Sequence, residues 1–172
     1  MGLLLGLGAC TASPMPDPPP SASGTARPTV AATGVRSCDT SVEVPLTADP
    51  AAVVVGPLGV QSLDYRFGVQ GDLNAQADAQ GWWRFKIPVA IEGNESVTIS
   101  VPAEFRGIAR LTYVAGRGDY ATTFVPCDTR RLTHFAGGVA IREAVCLPLA
   151  VSWSGHTEQL RLAFGEGACG PR

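Results

Sequence analysis

From Cys38 onward the apolar residues of this 172-residue chain fall on a period of two, broken at short intervals by glycine, proline and polar residues. That spacing predicts half-buried β-strands, because side chains alternate between the two faces of an extended chain. In SVEVPLT, Val42, Val44 and Leu46 share a face, and in WWRFKIPVAI the set Trp83, Phe85, Ile87, Val89 and Ile91 opposes Trp82, Arg84 and Lys86. ESVTISV repeats the pattern through Val97, Ile99 and Val101. ARLTYV and YATTFV flank the turn residues Gly116-Arg117-Gly118-Asp119, which predicts a hairpin, and CLPLAVSW and QLRLAF joined by SGHT predict a second. VVVGPLGV and HFAGGVAI are weaker strand runs. Only LNAQADAQ, residues 73 to 80, permits a turn or two of helix, since Ala and Gln tolerate one and no alternation competes.

Eight or nine short strands with Gly and Pro between them predict an all-β domain. The expected architecture is an antiparallel two-sheet sandwich of immunoglobulin-like form, with a small β-barrel as the alternative. The folded unit is expected over residues 38 to 172.

The first 37 residues break this pattern. Residues 2 to 8 are apolar but far short of the roughly 20 residues that span a bilayer, and Pro14 to Pro20 stop any helix from continuing. Leu7, Gly8, Ala9 and Cys10 look like a bacterial lipobox, where a peptidase seats small side chains at the scissile bond and the freed cysteine receives the lipid. That likeness makes Cys10 the lipidation site and residues 1 to 9 the remnant of a signal peptide. A signal peptide carries positive charge before its apolar core, yet the first basic residue is Arg27, so the start is expected to lie upstream. Residues 11 to 37 contain six prolines among Ser, Thr, Ala and Gly, a composition that buries too little apolar area to offset ordering entropy, and they read as a tether. The chain is thus expected at the outer face of the cell membrane, with plain secretion as the alternative.

Apart from Cys10, four cysteines remain: Cys38, Cys127, Cys146 and Cys169. An even number in an exported chain predicts two disulfides. If the strands over residues 120 to 164 run up and down in turn, Cys127 lies at one end of the domain and Cys146 and Cys169 at the other, which favours Cys146 with Cys169 and Cys38 with Cys127. A metal site is the competing use of cysteine, but no CxxC or HxH spacing occurs and the chain has two histidines. No metal and no cofactor are expected.

The order FVPC, THFAGGV, CLPLAV, FGEGAC resembles the C-terminal half of a family of small secreted or lipid-anchored, disulfide-containing β proteins of high-GC Gram-positive bacteria, over residues 85 to 169. The shared positions are cysteines, glycines and strand hydrophobes. The resemblance therefore implies export and disulfides and brings no activity.

Charge and chemistry narrow the function classes further. Net charge is -2 with no cationic run beyond Arg130-Arg131, so nucleic acid is not an expected partner. Arg117-Gly118-Asp119 spells an adhesion tripeptide and Asn94-Glu95-Ser96 a glycosylation sequon, but a tight turn favours Gly-Asp in any case and the sequon is incidental in a bacterial chain. His134 and His156 are the only bases that titrate near neutrality, neither stands in a GxSxG context, and the carboxylates fall mostly at turns. Alternation places Trp83 in the core and Trp82 outward beside Arg84, where an aromatic ring could stack on a sugar or peptide, with burial of Trp82 under a loop as the competing reading. The reading is a non-enzymatic envelope lipoprotein that binds a cell-envelope or extracellular partner, with Trp82 and Arg84 as candidate binding residues. The alternative is an envelope hydrolase using His134 or His156.

Overall fold

The alternation is realised as strands in the computed structural model of the protein, which describes residues 33–42, 53–60, 77–115, 118–165 and 169. In chain order these are β1 (Thr33–Arg36), β2 (Val53–Val55), β3 (Leu58–Val60), β4 (Trp83–Lys86), β5 (Val89–Glu92), β6 (Val97–Ser100), β7 (Ala109–Leu111), β8 (Ala121–Phe124), β9 (Leu132–Phe135), β10 (Gly138–Ile141), β11 (Val145–Trp153) and β12 (His156–Phe164). Short 3-10 turns at Cys38–Thr40 and Ala103–Phe105 are the only helical segments among the described residues. Of LNAQADAQ, residues 77 to 80 form a turn and the rest lies outside the described residues, as do Val44 and Leu46.

The strands form three open sheets, in the orders β1-β8-β6-β11-β12, β4-β10-β7 and β2-β3-β5-β9. No sheet closes into a barrel, and an all-β sandwich describes the arrangement. The two smaller sheets share one ribbon. Lys86 pairs with Gly138 in one and Val89 with Phe135 in the other, so the register runs on unbroken from residues 83–92 against 132–141. The ladder is interrupted at Pro88, which has no N–H to give. Two hydrogen bonds bridge the gap: Ile87 N–H donates to Gly137 O at 2.9 Å, and the Tyr113 hydroxyl donates to Ile87 O at 2.8 Å. Gly137 is required here, because at φ +152° a Cβ would stand 2.3 Å from the Tyr113 ring.

One apolar core draws on all three sheets. Val97, Ile99, Leu147, Leu149 and Leu160 come from the five-stranded sheet, Phe85, Val139 and Leu111 from the second, and Leu58, Val89 and Phe135 from the third. Rings interlock across the layers: Phe85 meets Phe164 at 4.9 Å and Phe124 meets Phe135 at 5.2 Å between centroids. The β11–β12 hairpin turns on Ser154 and Gly155, both at positive φ, as a two-residue turn matched to strand twist requires.

Two expectations are corrected. ARLTYV and YATTFV are not paired as the arms of a hairpin ladder: β7 pairs with β10, β8 pairs with β6 and β1, and besides the isolated Leu111–Asp119 bridge the segments touch through the Tyr113 and Phe124 rings, 4.9 Å between centroids. The chain crosses between sheets there, so each segment satisfies its backbone with a different neighbour. The spacer composition also conceals β1, which lies before Cys38 and pairs in parallel with β8 from Thr33↔Ala121 to Arg36↔Phe124. Gly34 makes that approach possible, since a Cβ would stand 2.4 Å from the Asp119 carboxylate and 2.5 Å from Val114.

Candidate functional site

The four cysteines of the folded part are paired, Cys38 with Cys127 and Cys146 with Cys169, with Cα separations of 4.8 and 4.7 Å. The first ties the start of the domain to the end of β8 across a sequence separation of 89, and the second encloses the β11–β12 hairpin across 23. By chain entropy they contribute about 4.5 and about 3.5 kcal/mol of stability. Cys10 lies outside the described residues.

Trp82 and Arg84 stand on the outer face of the β4-β10-β7 sheet. The inward set of these strands is Phe85, Val139, Ile141, Ala109 and Leu111, all buried, so the alternate residues face out. Register puts Arg84, Ala140 and Arg110 in one row across three strands. Lys86 lies opposite Gly138 one row away, and Arg142 follows the end of β10, its N–H donating to Ile108 O at 2.9 Å. The middle strand carries small outward residues, both buried: Ala140, and Gly138, where any Cβ would collide with Phe85 O at 1.8 Å.

Trp82 differs from its expectation in one respect. It faces outward, but its ring is only 7% exposed, because Arg110 and Arg142 lie over it at 4.1 and 4.4 Å from the centroid. The indole therefore holds two guanidiniums by cation–π attraction and is largely covered. Trp83 is half-buried against the core. The turn before β4 is set by Asp78, whose carboxylate accepts from the N–H groups of Gln80 and Trp82, both at 3.0 Å, and from Arg84 at 3.3 Å. The Trp82 N–H is the main reason that the Asp78 carboxyl stays below the ordinary range, with Gln80 N–H and Arg84 adding to it against a smaller opposing effect of burial. Arg110 and Arg142 carry no sequence signal individually. Each fills a polar slot of an alternating strand, and only strand pairing reveals that they converge on Trp82.

The two histidines are far apart in character. His134, on β9 opposite Ala90, is 5% exposed, and neither ring nitrogen has a hydrogen-bond partner among the described residues. Burial lowers its pKa and keeps it neutral. His156 is exposed at the start of β12 and stacks on Trp153 at 5.6 Å between centroids. Beside it an open depression of about 310 Å³ is lined chiefly by hydroxyls, those of Ser96, Thr98, Ser152, Ser154 and Thr157. Among the described residues no three His, Cys, Asp or Glu side chains cluster to hold a metal.

The outer face of the five-stranded sheet is of a different kind. Register aligns Val35, Thr123, Thr98, Ser152 and Thr157 in one row, with hydrogen bonds of 2.9 Å between Thr98 and Thr123 and between Ser152 and Thr157. No family model, curated protein or solved structure matches this chain.

Proposed function

We propose that the protein is an exported, lipid-anchored binding module without catalytic activity. Cys10 carries the lipid, the spacer holds the domain away from the bilayer, and a disulfide-stapled sandwich presents a rigid surface to an envelope or extracellular partner. The observation that carries this reading is cysteine pairing. All four cysteines of the folded part are used in disulfides, as suits an oxidising compartment, and Cys10 is left as the single thiol, placed in a lipobox-like sequence. The immunoglobulin-like form of the sandwich and the likeness to a high-GC Gram-positive family belong to the same reading. Trp82 and Arg84 belong to the presented surface as members of the cationic cluster on β4, β7 and β10.

Intact-mass analysis tests it. Protein recovered from the membrane fraction of an expressing Gram-positive host, with a basic signal-peptide start fused ahead of residue 1, is expected to begin at a diacylglyceryl-modified Cys10. A Cys10→Ser variant is expected in the medium. Recovery of an unprocessed chain with an unmodified Cys10 overturns the proposal.

A further inference from the structure

We propose that the outer face of β4, β10 and β7 is a docking surface for a linear polyanion whose charged groups are phosphates. This inference concerns the folded domain alone and is independent of lipidation at Cys10. The chain as a whole is acidic, with a net charge of -2, yet Arg84, Lys86, Arg110 and Arg142 share one side of one three-stranded sheet. Among the described residues only Arg84 has a carboxylate partner, Asp78 at 3.3 Å, and Glu143 is the next carboxylate along the chain from Arg142.

Proteins that gather cations for stability surround them with carboxylates. Here the clustering is held by other means: two of the guanidiniums lie over the Trp82 ring, and the middle strand carries the small outward residues Ala140 and Gly138. The arrangement keeps four positive charges close together with Asp78 as the one carboxylate paired to them among the described residues, which leaves the net positive charge an anionic partner requires.

The spacing and geometry narrow that partner. Arg84 and Arg110 stand two strands apart, about 10 Å, and Lys86 lies two residues from Arg84, about 7 Å along the strand. A flexible chain whose anions are spaced no wider than these intervals can meet the charges in succession. The donors arrive from three strands rather than as one coplanar fork, so a tetrahedral phosphate, which accepts from several sides, suits them better than a planar carboxylate. Single-stranded nucleic acid also carries phosphates, but it is bound through base stacking on free aromatic faces. Among the described residues the aromatic ring of this cluster is Trp82, and both neighbouring guanidiniums already lie over it.

Inorganic polyphosphate of about twenty units is the probe, titrated against the disulfide-intact protein by calorimetry at several salt concentrations. Binding is expected at 50 mM salt and is expected to weaken at least tenfold by 200 mM, as counterion release dictates. Lys86→Gln and Arg142→Gln, both at exposed positions, should each weaken binding several-fold and lower the salt slope by about one charge. Arg161→Gln, on exposed β12 of the other sheet, should leave both unchanged, with melting temperatures reported for all three. No binding at 50 mM salt overturns the proposal, and so does an equal loss with Arg161→Gln. Tighter binding to oligo-dT, to polyglutamate of matched charge or to anionic vesicles than to polyphosphate also overturns it.

Discussion

The outer faces of the five-stranded sheet and of the β4-β10-β7 sheet are built over the same core by the same alternation, and they could hardly differ more. One presents a row of hydroxyls that bond to each other, Thr123 to Thr98 and Ser152 to Thr157, with no charge in the row. The other presents Arg84, Lys86, Arg110 and Arg142 around one indole. The inward residues of the two sheets are close in chemistry, since both sets are mostly Val, Ile, Leu and Phe. The burial of those residues sets the fold, and the outward residues are free to set what the surface meets.

The most severe way to break this contrast is at the floor of the cationic face. Gly138→Ala places a Cβ on the Phe85 carbonyl and is expected to cost more than about 3 kcal/mol by opening the central strand, read as the midpoint of urea unfolding. Gly59→Ala, on β3 with nothing nearer than 3.8 Å, should cost less than about 1 kcal/mol and serves as its control. Next comes Trp82→Ala, which removes the ring that Arg110 and Arg142 lie over. A loss of about 2 kcal/mol is expected, larger at low salt than at high salt because two unshielded guanidiniums then face each other. The hydroxyl face should respond more weakly. In a double-mutant cycle of Thr98→Val and Thr123→Val the coupling is expected to be about 0.5 to 1 kcal/mol and insensitive to salt.

The smallest effect belongs to His134, the buried base on the outward side of the third sheet. Its pKa is lowered in the folded protein, so the unfolded chain binds the proton first. Stability from the neutral ring is fully present above the unfolded value near 6.5 and declines as pH falls below it. His134→Leu is expected to flatten urea midpoints measured between pH 7.5 and 5 while shifting the value at pH 7.5 little.

How far the sequence disclosed this molecule depends on the range of the interaction concerned. The strand runs around Phe85, Ile99 and Leu149 were legible because alternation is local, and so was the Ser154-Gly155 hairpin, whose two arms are contiguous. The false hairpin at residues 109 to 124 has the same local signature, and only the choice of partners, β10 for one arm and β6 for the other, distinguishes it. β1 was hidden because its fit depends on Asp119 and Val114, some eighty residues away, rather than on its own composition. Trp82 was correctly placed outward by alternation. Its covering was not legible, because Arg110 and Arg142 are brought to it by pairing across three strands.

The Cys38–Cys127 bond has a mechanical consequence. A pull transmitted through the chain ahead of Thr33 first meets the parallel pairs of β1 with β8. Once those separate, the tension passes at Cys38 directly through sulfur to Cys127, and the backbone between the two cysteines, β4 and β7 of the cationic face included, is bypassed. A chain pulled from its N-terminal side would thus lose β1 while β4 and β7 stay out of the line of force.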